Sequence, residues 1–376
     1  MIKEKRLVDE FMELVRIDSE TGNERQICDV LTAKFKALGL SVEEDDTAQK
    51  TGHGAGNLIA RLEGRGADGA QTIFFTSHMD TVTPGIGIKP QIDADGYIRS
   101  DGTTILGSDD KAGLAAMMEA IRVLQENNLP HGPVQFIITA GEESGLVGAR
   151  ALDRSKLEAK FGYALDSNGR IGDIAVAAPS QAKITIKIFG KSAHAGVNPE
   201  DGISAIQVAG KAIARMSLGR IDHETTANIG RFEGGGATNI VCDYAKLDAE
   251  ARSIVQEKLD KQITAMREAV ESTVADYGAR ADFQSQIIYP AYAYDDGDPV
   301  VELAKEAIRG IGGEPRTFHS GGGSDANIFN GLGVPTVNLA IGYEHIHTTK
   351  EQIKVEDLVK TASLVVEIIA QANKRG

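Results

Sequence analysis

Three short apolar runs constrain this chain most. Residues 72–77 contain Ile73-Phe74-Phe75, residues 134–139 read Val-Gln-Phe-Ile-Ile-Thr, and residues 161–165 end in Ala164-Leu165. Short runs of this β-branched and aromatic content, bounded by turn signals, have the texture of strands buried on both faces. Each also hands the chain to residues that bind metals or move protons. His78 and Asp80 follow the first, Glu142 and Glu143 the second, and Asp166 the third. Such strands imply an open, mostly parallel sheet sandwiched by helices, which collects ligands at the carboxyl ends of its strands. Acidic residues scattered over a solvated surface would show no such bias.

The segments between these runs read as helices. Residues 2–17 and 23–38 are separated by Gly22, and Gly39 ends the second. Residues 111–125 carry Leu114, Met117, Met118, Ile121 and Leu124 at helical spacing. The stretch Gly107-Ser108-Asp109-Asp110-Lys111-Ala112-Gly113 opens this helix. By itself an acidic pair at a helix start only complements the helix dipole; here it stands with the other clusters. Residues 57–62 alternate like a strand.

From about residue 174 the texture changes. Residues 183–189, Lys-Ile-Thr-Ile-Lys-Ile-Phe, alternate strictly, as a half-buried antiparallel strand does. A helix (202–216), two strands (228–232 and 244–251), a long helix (256–277) and a last strand (283–289) follow. The order β-α-β-β-α-β predicts a ferredoxin-like α+β domain. After Pro290 the α/β texture resumes, with a helix at 299–309, a tight Gly321-Gly322-Gly323-Ser324-Asp325 loop, a strand at 335–341 and a final helix at 355–373. The expected organisation is a discontinuous α/β catalytic domain, residues 1–176 and 290–376. Into it is inserted a lid and dimerisation domain, residues 177–289.

A chain of 376 residues accommodates both. Its formal charge of -14, from 40 basic and 54 acidic residues, repels phosphate backbones, so nucleic acid is not an expected partner. No apolar run is long enough to span a bilayer. Residues 1–16 pattern as a charged amphipathic helix rather than a signal peptide. Cys28 and Cys242 lie far apart and form no metal or redox motif. A cytoplasmic location is expected.

The clustered residues suit a pair of divalent cations about 3.5–4 Å apart, which need a carboxylate between them. His78, Asp109 and Asp166 would hold one ion; Asp109, Glu143 and His347 would hold the other. Imidazole and carboxylate without thiolate suit Zn²⁺, Co²⁺ or Mn²⁺. Three carboxylates against two dications leave net positive charge, which lowers the pKa of a bound water. Asp80, two residues after His78, is placed to accept a hydrogen bond from the other imidazole nitrogen. Glu142 and Glu143 are adjacent and face different ways, so one can hold metal while the other handles a proton.

Six motifs together resemble a known family. They are Ser77-His78-Met79-Asp80-Thr81-Val82, the Gly107 to Gly113 stretch, Gly141-Glu142-Glu143, Leu165-Asp166, Gly190-Lys191-Ser192-Ala193-His194-Ala195-Gly196, and His347-Thr348-Thr349-Lys350-Glu351. The family is that of the dinuclear metallopeptidases. It includes peptidase T, acetylornithine deacetylase, succinyl-diaminopimelate desuccinylase, aminoacylase and glutamate carboxypeptidase. The resemblance spans essentially the whole chain and is nearest to peptidase T and its relatives. It implies that His78, Asp109, Glu143, Asp166 and His347 are metal ligands, and that Asp80 and Glu142 are catalytic, Glu142 as general base. The family pattern Asp-x-Lys selects Asp109 over Asp110. The pattern His-[Ser/Thr]-x-x-Glu selects His347 over His345.

The resemblance implies further that His194 is a lid histidine reaching the partner subunit's site to stabilise the oxyanion, and that Asn239 and Arg252 contact substrate. The implied function is that of a metal-dependent exopeptidase. It would be an aminopeptidase acting on di- and tripeptides through a metal-bridging hydroxide, and a homodimer through its lid. The alternative within the family is a deacylase removing an N-acyl group from an amino acid. The segment Gly342-Tyr343-Glu344-His345 departs from the peptidase T pattern, so a strict tripeptide preference is not implied.

Overall fold

The computed structural model describes residues 1–67 and 69–374, which form two compact units. The first comprises Met1–Ala177, Tyr294–Ser320 and Ser324–Gly376. Its sheet has the strand order Ser41–Glu44, Leu58–Leu62, Val134–Thr139, Ile73–His78, Phe161–Ser167, Thr336–Ala340 and Asp173–Ala178, with Arg316–His319 beside the last. The four central strands, Val134–Thr139 to Thr336–Ala340 in that order, run parallel. Antiparallel pairing begins on either side of them.

The sheet is mixed. Parallel neighbours need long crossovers, and helices supply these at the centre, Ser108–Glu126 lying between Ile73–His78 and Val134–Thr139 along the chain. Ile73–His78 and Val134–Thr139 are buried at every residue. Their successive side chains feed opposite layers. Phe75, Phe136 and Ile138 join the core under Glu4–Val15, Arg25–Ala37, Ser108–Glu126 and Val355–Lys374. Phe74 and Ile137 join a second cluster with Phe329 of the short helix Asp325–Gly331.

Ser108–Glu126 is the central helix and is almost wholly buried. It starts earlier than its apolar spacing predicts, and Asp109 and Asp110 inside its first turn are non-helical. His78 is the last residue of its strand rather than the first beyond it, and Asp166 lies within Phe161–Ser167. Asp173–Ala178, placed by texture at the start of a new region, is a strand of this first sheet. A small sheet of Gln91–Ile92, Tyr97–Arg99 and Gln352–Lys354 pairs Ile98 with Ile353 and roots the loop that carries His347.

The second unit comprises Ala178–Ala293 with Gly321–Gly323. Its antiparallel sheet has the order Gly219–Arg220, Thr225–Gly234, Tyr244–Ser253, Ser180–Phe189, Arg280–Tyr289. With helices Ala205–Arg215 and Gln256–Tyr277 this is the β-α-β-β-α-β ferredoxin-like arrangement. Ile184, Ile186 and Ile188 enter its core with Leu247, Val208 and Met266, while Lys183 just before them faces out and Thr185 and Lys187 between them are half-buried.

Candidate active site

The parallel strands of the first unit end at one edge and deliver the polar residues there. Three groups of potential donor atoms lie within 4.8 Å of one another: His78, Asp109 and Asp166; Asp109, Glu143 and His347; and His78, Glu142 and Glu143. Asp109 belongs to both of the first two. Its Oδ1 is 3.0 Å from His78 Nε2, and its Oδ2 is 3.1 Å from His347 Nε2. His347 Nε2 is also 3.1 Å from Glu143 Oε1, and His78 Nε2 is 3.8 Å from Asp166 Oδ1.

Each side chain is held by something behind it. His78 Nδ1 lies 2.9 Å from the backbone carbonyl of Asp80, which puts the proton on Nδ1 and leaves Nε2 to face the cluster. The Asp80 carboxylate, expected to take that hydrogen bond, lies farther off at 3.5 Å. It accepts instead the backbone N–H groups of Glu142 (3.0 Å) and Glu143 (3.1 Å), and so fixes the turn that presents both glutamates. Asp109 is presented by Glu351, a buried carboxylate that accepts from Leu106 N, Gly107 N, Ser108 Oγ and Asp109 N at 2.7–3.0 Å.

Asp110 turns away from the cluster. Its carboxylate accepts from Ser77 Oγ and the His78 N–H. Gly113 makes room for this, because a Cβ there would come within 2.4 Å of Ser77 Oγ and 2.8 Å of Asp110 Oδ1. His345, like His347, has a positive φ, but it enters none of the donor groups.

The electrostatics are those of a site that wants cations. Burial alone would raise the Asp109 carboxyl, yet hydrogen bonds from His347 and His78 hold it well below the usual range. Burial alone would depress His78, but Asp109 and Asp80 hold it well above its ordinary value. Hydrogen bonds to Asp109 and Glu143 push His347 up to about 10. Burial pushes Asp166 and Glu142 well above the carboxylate range, with Asp109 adding to the first and Asp325 and Glu143 to the second. So protons must offset the negative charge when no cation does. The donor set, its shared carboxylate and this charge fit a pair of divalent ions.

Three residues near the site are not singled out as functional by the sequence reading. Asn338 and Tyr343 both hydrogen-bond Asp166. Asp325, pushed up to about 6 by burial, accepts from Thr139 Oγ1 at the end of the strand that leads to Glu142. A polar residue inside an apolar strand, as in Val337-Asn338-Leu339, was the available hint for the first.

His194, Asn239 and Arg252 belong to the second unit and enter none of the donor groups. His194 is exposed. Its Nδ1 accepts the N–H groups of Gly196 (3.1 Å) and Val197 (3.2 Å), which leaves the proton on Nε2 as a free donor. The Asn239 backbone carbonyl accepts from Ala195 N. Arg252 pairs with Glu250 through Nε at 2.8 Å and a terminal nitrogen at 3.1 Å.

The profile of peptidase family M20/M25/M40 matches residues 74–371. The chain is 60% identical over 374 residues to the uncharacterized protein YqjE of Bacillus subtilis (strain 168), covering 100% of both. Among solved structures it is similar to the aminopeptidase PepT from Bacillus cereus ATCC 10987, at 63% identity with a TM-score of 0.94 and 99% of each chain covered. It is also similar to a tripeptidase from Staphylococcus aureus subsp. aureus Mu50, at 49% identity with a TM-score of 0.96 and 100% of each chain covered.

Proposed function

The chain belongs to peptidase family M20/M25/M40, and on that premise we propose that it is a metal-dependent aminopeptidase releasing N-terminal residues from di- and tripeptides. The observation that carries this reading is the shared carboxylate. Asp109 joins the group of His78 and Asp166 to the group of Glu143 and His347, and Glu142 stands beside both. When bound, two divalent ions, Zn²⁺ with Co²⁺ or Mn²⁺ as substitutes, supply Lewis acidity to the scissile carbonyl and acidify the attacking water.

The protein's own groups do the rest. Glu142 takes the proton from water and delivers it to the leaving amine. Asp80 keeps Glu142 in place through its backbone amide. His194 offers its Nε2–H to the oxyanion, and its hydrogen bonds at Nδ1 support that tautomer. Asn239 and Arg252 contact substrate, and Arg252 then exchanges Glu250 for it. The protein acts as a homodimer in the cytoplasm, paired through the second unit, with His194 serving the partner's site. Two unpaired cysteines support a reducing compartment. Among the described residues no helix is long and apolar enough to cross a membrane.

The test is a side-by-side assay of di- and tripeptides with free and with acetylated N-termini. Cleavage of the free peptides is expected. Preferred hydrolysis of N-acyl amino acids would make the protein a deacylase instead.

A further inference from the structure

Asp166 is gripped twice by one neighbouring segment. Asn338 comes from Thr336–Ala340, which runs parallel beside Phe161–Ser167. Its Oδ1 accepts the Asp166 N–H at 3.0 Å, and its Nδ2 donates to the Asp166 carbonyl at 2.6 Å. That clamps the backbone. The side chain is held separately, by the Tyr343 hydroxyl, which donates to Asp166 Oδ1 at 3.0 Å.

The chain is shaped to bring the phenol there. The strands pair as far as Ala340 with Ser167, and Ile341 N donates to the Ser167 carbonyl at 3.2 Å. Gly342 then turns with φ +86°, where a Cβ would come within 2.6 Å of the Asp357 side chain. Tyr343 follows, 2% exposed. It reaches Asp166 from the protein interior, and its hydroxyl bonds to no member of the group of Asp109, Glu143 and His347.

We propose that Tyr343 is a positioning residue that holds the Asp166 carboxylate in one-oxygen ligation, and so sets the affinity and size preference of the ion shared by Asp166 and His78. This rests on reading His78, Asp109 and Asp166 as a metal-holding group. The phenol occupies a lone pair on Oδ1. The bond fixes the plane of the carboxylate, and a rotation that moved Oδ1 off the phenol to chelate one ion would strip the buried hydroxyl of its acceptor. The two groups otherwise carry the same donor types, one imidazole and two carboxylates. One-oxygen ligation favours a compact ion of low coordination number, such as Zn²⁺, over Mn²⁺, which takes more oxygen ligands.

Tyr343→Phe keeps the ring and removes the hydroxyl. Metal-free wild type and variant would be titrated with Zn²⁺ and with Mn²⁺ by calorimetry, and Co²⁺-loaded protein followed by visible absorption. Two ions should still bind. One Zn²⁺ should weaken about 10–100-fold, its preference over Mn²⁺ should narrow, and the Co²⁺ spectrum should change for one ion of the pair. Asp166→Asn should weaken the same ion. A second arm needs no variant: in wild-type crystals loaded with mixed Zn²⁺ and Mn²⁺, anomalous scattering should find Mn²⁺ gathered at the Asp109, Glu143 and His347 group. Wild type that binds no ion pair overturns the metal reading and this inference with it. Two normal ions in wild type, with unchanged affinities in Tyr343→Phe, overturn the inference alone. So does equal weakening of both ions, which a general structural role would produce, or an even Mn²⁺ distribution in wild type.

Discussion

Glu351→Gln should weaken the ion pair as a unit. Glu351 uses one oxygen for the N–H groups of Leu106 and Gly107 and the other for Ser108 Oγ and the Asp109 N–H. Glutamine can offer an oxygen to one side only. Facing Leu106 and Gly107, it sets its amide group against Ser108 and Asp109. The serine hydroxyl can turn and accept; the Asp109 N–H cannot, and it is left without a partner. Facing the other way, two backbone donors are stranded rather than one. A buried donor without a partner costs about 1–3 kcal/mol. The loop can relieve that only by moving Asp109, and binding the ions must reverse the movement. Because Asp109 enters both metal-type groups, the product of the two dissociation constants should rise about 5–150-fold. Calorimetric titration of metal-free protein with Zn²⁺ reads this directly. A folded variant with wild-type affinity for both ions would refute the claim that Glu351 positions Asp109.

Chelation should abolish activity, and Zn²⁺, Co²⁺ or Mn²⁺ should restore it; full activity in protein shown metal-free by elemental analysis would sink the metal assignment. Glu142→Gln should lower kcat roughly a thousandfold while keeping both ions, whereas Glu143→Gln should lose an ion; the opposite pattern would swap the two roles. His194→Ala should cost about 10²–10³ in kcat. Mixed with inactive Glu142→Ala after subunit exchange, it should regain roughly a quarter of wild-type activity, since half the dimers then hold one complete site; no recovery despite proven exchange rules out action across the dimer. Glu10 is buried, which by itself raises its carboxyl, but hydrogen bonds from Lys34 and Arg122 hold it below its ordinary value. Its stabilising effect is therefore present above the unfolded pKa, about 4.3, and fades as pH falls through the lower folded value. The Tm gap between wild type and Glu10→Gln should be widest near neutral pH and close in acid; a gap that stays constant would contradict this.

The fold was legible where a strand or helix announces itself through its own residues. Val134–Thr139 and Gln256–Tyr277 occupy the spans that their texture suggests. Ser180–Phe189 alternates because one face packs on helices and the other does not. Asp173–Ala178 shows the limit. It is buried at every residue in the first unit's sheet, yet only Pro179 separates it from the alternating strand Ser180–Phe189, so the two read as one change of texture. The antiparallel flanks of the first sheet were not legible either, because strand direction is decided by which neighbour the connection reaches and not by the strand's own pattern.

The site divides along the same line. A ligand must be an imidazole or a carboxylate, so residue type reveals it, and the ends of apolar strands reveal where to look. Its anchor needs only a hydrogen-bond donor or acceptor that arrives at the right point. Asp80 is two residues from His78, near enough to be suspected, yet the structure gives the imidazole its backbone carbonyl and keeps its carboxylate for Glu142 and Glu143. Glu351 is 242 residues from Asp109, and Tyr343 is 177 from Asp166. Residue type alone does not distinguish them from a surface acid or a core aromatic, and the motif His347-Thr348-Thr349-Lys350-Glu351 marks Glu351 without saying which residue it holds. Parallel pairing sets strand ends side by side while their connections keep them far apart in sequence. A site built at that edge therefore draws its ligands from several strands and its anchors from yet others. Ligand identity is written in residue type and anchor identity in topology. Substituting the anchors should therefore divide the ions as substituting the ligands does: Glu351 should act on both through Asp109, and Tyr343 on one through Asp166.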